Sequence, residues 1–143
     1  MVLAFTLSMY RDIAGHEELT GKIIECGIRV HEIFGPGLLE SVYRPCLTLE
    51  LRDAGLDVDT TRRVPLVYKS LKLDTFYCPD IIVNGVVIVE LKAVESLTAV
   101  HSAQLLTYLK LTSIPVGLLM NFNVTLLNQG VRRVVRPDLY IRT

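Results

Sequence analysis

Pro79-Asp80-Ile81-Ile82-Val83-Asn84-Gly85-Val86-Val87-Ile88-Val89-Glu90-Leu91-Lys92 is the stretch whose reading decides the fold. Two apolar, β-branched runs flank Asn84-Gly85, a dipeptide that readily takes the positive φ angles of a tight turn, so the segment reads as a β-hairpin. Both arms are apolar at every position, as expected of strands covered on both faces. Charge appears only at their outer ends. Glu90 and Lys92 lie two apart in the strand expected over 86–94 and therefore project from one face of it. A carboxylate and an ammonium in such a strand are costly unless they pair or bind something charged. Asp80, just after Pro79 on the facing arm, is near enough to join them. Two carboxylates, with oxygen donors only, suit a hard divalent cation that keeps several waters, with Lys92 beside one of those waters.

Turn length decides whether such a site can exist. A strict two-residue turn at Asn84-Gly85 sets Asp80 opposite Val89 and points it away from Glu90. The site requires a three-residue loop with a bulge, or strands that splay or bend at Pro79.

Upstream, Leu19, Ile23, Cys26, Val30 and Ile33/Phe34 recur at three and four, which predicts an amphipathic helix from about Thr20 to Phe34, stopped by Gly35-Pro36-Gly37. Leu39, Val42, Tyr43, Leu47, Leu49 and Leu51 predict a second helix ending before Gly55. Pro45 interrupts it, so either a kink near Ser41 or a start only around Arg44 is expected. From Val58 the texture turns β-branched and aromatic, and Pro65–Tyr68 and Leu71–Tyr77 read as two strands or one bent hairpin about Lys69-Ser70. Downstream, Ser96–Leu111 reads as a helix capped by Ser96 or Thr98. Val116–Asn121 and Val131–Val135 read as strands. The order is helix, strands, helix, strand in one α/β body.

A chain of 143 residues, half of them hydrophobic, has material for one core and none for a second. Residues 1–16 read as an extension and 17–143 as the domain. Met1–Met9 is apolar but short, lacks a basic leader and runs into Tyr10-Arg11-Asp12, a poor signal peptide. No apolar run is long enough to span a bilayer, and no membrane partner is expected. Fifteen basic residues balance fifteen acidic ones, so any nucleic-acid contact must come from a local patch. Cys26, Cys46 and Cys78 are odd in number and form no C-x-x-C pair, which fits a reduced, cytoplasmic setting and not a structural zinc site. His31 and His101 read as structural. Arg62-Arg63 and Arg132-Arg133 read first as exposed strand arginines and second as phosphate contacts.

Pro79-Asp80, a short hairpin and Glu90-Leu91-Lys92 together resemble the signature of the PD-(D/E)XK nuclease superfamily. Gly37-Leu38-Leu39-Glu40-Ser41-Val42-Tyr43 is similar to the pattern that names the GxxExxY family, a branch of it, and Gln104-Leu105-Leu106-Thr107-Tyr108 is similar to the Q-x-x-x-Y element of RecB-like nucleases. The resemblance covers about Leu19 to Val135. It implies a restriction-endonuclease-like core around a mixed central sheet. It also implies Mg2+ or Mn2+ held by Asp80, Glu90 and the Leu91 carbonyl, with Lys92 orienting or activating the attacking water. Glu40 would be an additional ligand or a base behind the ligands, Tyr43 would line or support the cleft, and Gln104 and Tyr108 would steady the lysine, the waters or a phosphate. The function implied is hydrolysis of phosphodiester bonds in DNA or RNA. The alternative is a non-catalytic module that binds nucleic acid or protein, and self-association into a homodimer could supply a longer groove.

Overall fold

A computed structural model describes residues 2–136, with side chains described from His16 onward. The elements are α1 (Val2–Phe34), α2 (Glu40–Asp53), β1 (Val58–Asp59), β2 (Val64–Tyr68), β3 (Leu71–Tyr77), β4 (Ile81–Val83), β5 (Val87–Lys92), α3 (Ala99–Thr112), β6 (Val116–Asn121) and β7 (Val131–Val135), with a short 3-10 turn at Leu127–Gly130 before β7. Five strands form one mixed sheet in the order β1-β4-β5-β6-β7, and β2 and β3 form a separate ribbon. This is the mixed α/β architecture expected of a restriction-endonuclease-like core.

The central hairpin explains why both of its arms are apolar. Successive side chains of a strand alternate faces. Ile81, Val83, Val87, Val89 and Leu91 pack with Ile23, Cys26, Tyr43, Leu47 and Leu51 of α1 and α2, while Ile82 and Ile88 pack with Leu105 and Leu109 of α3. Helices therefore cover both sides. β5 and β6 run parallel, from Val87↔Val116 to Lys92↔Asn121, and α3 makes the crossover that a parallel pair needs. Gly117 permits the close approach of that helix, since a Cβ there would lie 2.7 Å from Leu105.

Local chemistry sets the boundaries. Gly35, at φ 63°, closes α1, and its N–H reaches the His31 carbonyl at 2.7 Å. Thr98 caps α3 in a reciprocal pair with His101, whose Nδ1 accepts the Thr98 N–H at 3.0 Å. The His31 ring meets the Phe122 carbonyl at 3.1 Å, so both histidines have structural roles. β6 and β7 fall at the expected residues, and α3 begins at Ala99, not Ser96.

Three expectations are corrected. First, α1 starts at Val2 and not near Thr20: before Gly21 the chain has Gly15 as its one glycine and no proline, so nothing breaks the helix upstream. Of the expected extension over 1–16, all side chains but that of His16 lie outside the described residues, as do residues 137–143 of the expected domain. Second, α2 begins at Glu40 and runs through Pro45, so the alternative of a start only around Arg44 is set aside. The missing proline N–H would have served the Ser41 carbonyl, and Ser41 is exposed, so water can satisfy that group. Third, Val58–Asp59 adds a short edge strand to β4 that the sequence reading did not separate. The stretch from Val64 to Tyr77 is one hairpin with a two-residue turn, Tyr68 facing Leu71, and an irregularity between Pro65 and Val67.

Candidate active site

Asn84, Gly85 and Val86 form a three-residue connection. Asn84 and Gly85 take φ 51° and 69°, and the Val86 N–H returns to the Val83 carbonyl at 3.0 Å. The strands consequently pair Val83 with Val87, Ile82 with Ile88 and Ile81 with Val89. One step further out, Asp80 stands beside Glu90 and not opposite Val89. Asn84 is also tied to the residue before β1, since its Oδ1 accepts the Asp57 N–H at 2.9 Å.

The two carboxylates are held differently. Asp80 receives the Leu91 N–H on one oxygen at 2.9 Å and the Arg44 guanidinium on the other at 2.8 Å. Glu90, only 9 % exposed, accepts a short hydrogen bond from the Tyr77 hydroxyl. Burial, and then the neighbouring Asp80 charge, push the Glu90 carboxyl up to about 8, against a partial offset from the Tyr77 hydrogen bond. The same burial and the Glu90 charge drive the Tyr77 phenol upward. Tyr77 stacks on Tyr108 with ring centroids 3.5 Å apart, and the Tyr108 hydroxyl is likewise pushed up by burial and by Glu90.

The site thus straddles the end of the sheet. From the α3 side come Tyr108 and, behind it, Tyr77; from the α2 side come Arg44 and Glu40. Glu40 opens α2, and its Oε1 accepts the Ala93 N–H at 3.2 Å, fastening the chain just after Lys92. Leu39, Glu40, Ser41, Arg44 and Ala93 line an open cleft of about 400 Å³ there. Lys92 is half-buried at the last position of β5, two residues from Glu90, and makes no ion pair among the described residues.

The oxygen set suits a hard cation. Each carboxylate oxygen retains acceptor capacity after the hydrogen bonds above. In an extended strand a residue's N–H and C=O point to the same edge, so the Leu91 carbonyl lies on the side where its N–H meets Asp80. The donors present are therefore two carboxylates and a carbonyl. Among the described residues no cluster of three or more His, Cys, Asp or Glu side chains could hold a metal ion.

The remaining sequence-derived candidates divide. Tyr43 is fully buried. It stacks on Phe122 at 4.5 Å, donates to the Gly35 carbonyl at 2.6 Å and receives the Leu38 N–H at 3.2 Å. It therefore supports the α1–α2 connection and does not line the cleft. Gln104 is exposed, and its side chain makes no hydrogen bond to another described residue. Three residues escaped the sequence reading. Arg44 stands four after Glu40, hence on the same helix face. Tyr77 sits just before Cys78-Pro79-Asp80, and Asn121 is a polar residue ending an apolar strand. Asn121 is 1 % exposed and clamps the loop after Lys92, bonding the Val94 N–H at 3.1 Å and the Val94 carbonyl at 2.9 Å. A polar residue closing an apolar run was the available signal for Asn121, and Tyr77 had none.

A layered α/β domain with paired carboxylates and a lysine at the end of an antiparallel strand pair has the architecture of a restriction-endonuclease-like fold. A family model of the PD-(D/E)XK nuclease superfamily matches residues 17–134. The chain belongs to that superfamily, whose nucleases generally use divalent metal ions. No curated protein and no solved structure matches it. Among the described residues no helix is long and apolar enough to cross a membrane.

Proposed function

We propose that the protein is a divalent-metal-dependent nuclease of the GxxExxY branch, hydrolysing phosphodiester bonds in DNA or RNA in a cytoplasmic setting. The observation that carries this reading is the placement of Asp80 beside Glu90, produced by the three-residue loop, with Lys92 following on the face of Glu90. Asp80, Glu90 and the Leu91 carbonyl would hold Mg2+ or Mn2+, which when bound offsets the charge of the scissile phosphate. Lys92 presents its N–H donors to the attacking water and to the phosphate oxygens, where positive charge is worth most as the transition state forms. Tyr77 and Tyr108 exclude water behind Glu90, and Tyr77 fixes the direction of its carboxylate. Glu40 fastens the backbone at Ala93 and Asn121 fastens it at Val94, and so they keep Lys92 from withdrawing; Glu40 can also serve as an additional ligand or base.

Cleavage of single- and double-stranded substrates with Mg2+ or Mn2+ tests this reading, comparing wild type with Lys92→Ala and Asp80→Ala. Both variants should lose at least a hundredfold. Equal residual activity in all three proteins would identify a contaminant and sink the proposal.

One observation favours a second reading, a non-catalytic binding module. The Arg44 guanidinium already neutralises Asp80 at 2.8 Å, so the pair does not depend on a metal for charge balance. Isothermal titration with Mn2+ separates the two. Heat of binding lost in Asp80→Ala supports the nuclease, and no heat in wild type supports the module.

A further inference from the structure

The chain carries no net charge, which leaves open how it would attract a polyanion. Its charges are unevenly distributed. From Arg62 to Tyr77 the sequence holds four basic residues, Arg62, Arg63, Lys69 and Lys72, against the single acid Asp74. All five are exposed.

This span is the β2–β3 ribbon. Its strands pair with each other in a sheet of their own, and in β3 every residue before Tyr77 is exposed. A two-stranded ribbon is marginal without support. Here the support comes from the root, where Val64 and Tyr77 lie opposite each other and are buried, and from Leu66, which is partly buried against the same core. Beyond the root, Tyr68 is 65 % and Phe76 42 % exposed. Each of these rings has a cation beside it, the Arg63 guanidinium 4.3 Å from the Phe76 centroid and the Lys69 ammonium 5.6 Å from that of Tyr68. Lys69 occupies the tip at φ 56°, a conformation that glycine would take without strain. The core uses none of these side chains.

We propose that the ribbon is an arm that grips an unpaired nucleic-acid strand and leads it to Asp80 and Glu90; only the second half rests on the nuclease reading. The cations match phosphates in sign. The rings match base faces, which are free to stack only when unpaired, and stacking of this kind tolerates any sequence. Arm and site are continuous, because β3 ends in Tyr77, whose hydroxyl bonds Glu90. The seven residues of β3 carry the grip roughly 20 Å out from the carboxylates.

Fluorescence anisotropy of a labelled single strand and of its duplex, on the full chain in EDTA at several salt concentrations, tests the arm. The single strand should bind more tightly than the duplex. If all four cations meet phosphates, the slope of log affinity against log salt should be roughly −3. Lys69→Gly combined with Lys72→Gln should flatten that slope by roughly 1.4. The glycine relaxes the turn, so this loss cannot come from unfolding. Tyr68→Ala should weaken binding roughly five- to hundredfold with an unchanged circular dichroism spectrum. Affinity indifferent to these changes, or preference for duplex, overturns the arm. So does light scattering in which Tyr68→Ala splits a dimer while affinity stays constant, which would assign the ribbon to a second copy. Ribbon-dependent binding by a protein that cuts nothing sinks the nuclease reading alone. Metal-dependent cleavage indifferent to the ribbon variants sinks the arm alone.

Discussion

Replacing Glu90 by Gln removes one negative charge from a site where charge is unwelcome, while keeping the size of the side chain and an acceptor for the Tyr77 hydroxyl. In the unfolded chain the Glu90 carboxyl titrates near 4.5, and in the folded protein it is pushed up to about 8. Between those values the folded state holds a proton that the unfolded state has released. The stabilisation from this group is therefore complete below about pH 4.5, falls as pH rises, and is gone above about pH 8. At about 1.4 kcal/mol for each pH unit, the interval sets a ceiling of roughly 5 kcal/mol. Water reaching Asp80, whose side chain is 16 % exposed, screens part of it, and a loss of about 2–4 kcal/mol is expected. Urea unfolding of wild type and Glu90→Gln in EDTA, from about pH 5 to about pH 9, measures the difference directly. The variant should match the wild type near pH 5 and exceed it at pH 9. Adding Mn2+ at pH 8 should restore the wild type only, because binding there exchanges a proton for a cation. Stability curves that stay parallel to within about 0.5 kcal/mol across this range would refute the reasoning.

Arg44→Gln should raise Mn2+ affinity about two- to fivefold by isothermal titration, since a partly exposed guanidinium beside Asp80 competes with any second cation; unchanged or weaker binding would mean that Arg44 helps to build the site. Tyr43→Phe should cost about 1–2 kcal/mol in denaturant unfolding, because the ring stack persists while the Gly35 carbonyl and Leu38 N–H lose a shared partner. Asn121→Ala strands the Val94 N–H and leaves the Val94 carbonyl only the Asn123 amide, and should cost about 2 kcal/mol; cleavage should fall further than the folded fraction does, as the loop after Lys92 loosens.

The hairpin, the crossover helix and the last two strands were legible because each is announced by a local signal: Asn84-Gly85, Thr98 before a helical period, and apolar runs closed by polar residues. That Asp80 and Glu90 can meet only through a longer loop, or through strands that splay or bend at Pro79, followed from the alternation of faces. What stayed hidden depends on tertiary contact. Arg44 is an ordinary helical arginine until α2 is laid across the sheet end, and Tyr77 an ordinary strand tyrosine until the ribbon root closes on β5. Val58–Asp59 is too short to show a period and exists as a strand because β4 offers it an edge. Pro45 misled in the opposite direction, since the rule against proline in helices presumes a dry carbonyl one turn back, and that of Ser41 is on the surface.

The connection at Asn84-Gly85-Val86 sets the parity with which β4 meets β5. With valine and isoleucine on both sides of β4 and β5, hydrophobic pattern cannot distinguish one alignment of the two strands from the next. Deleting Val86 would turn one of the two strands over and leave the aspartate facing away from Glu90. Such a chain would have lost the chemistry with one residue of turn.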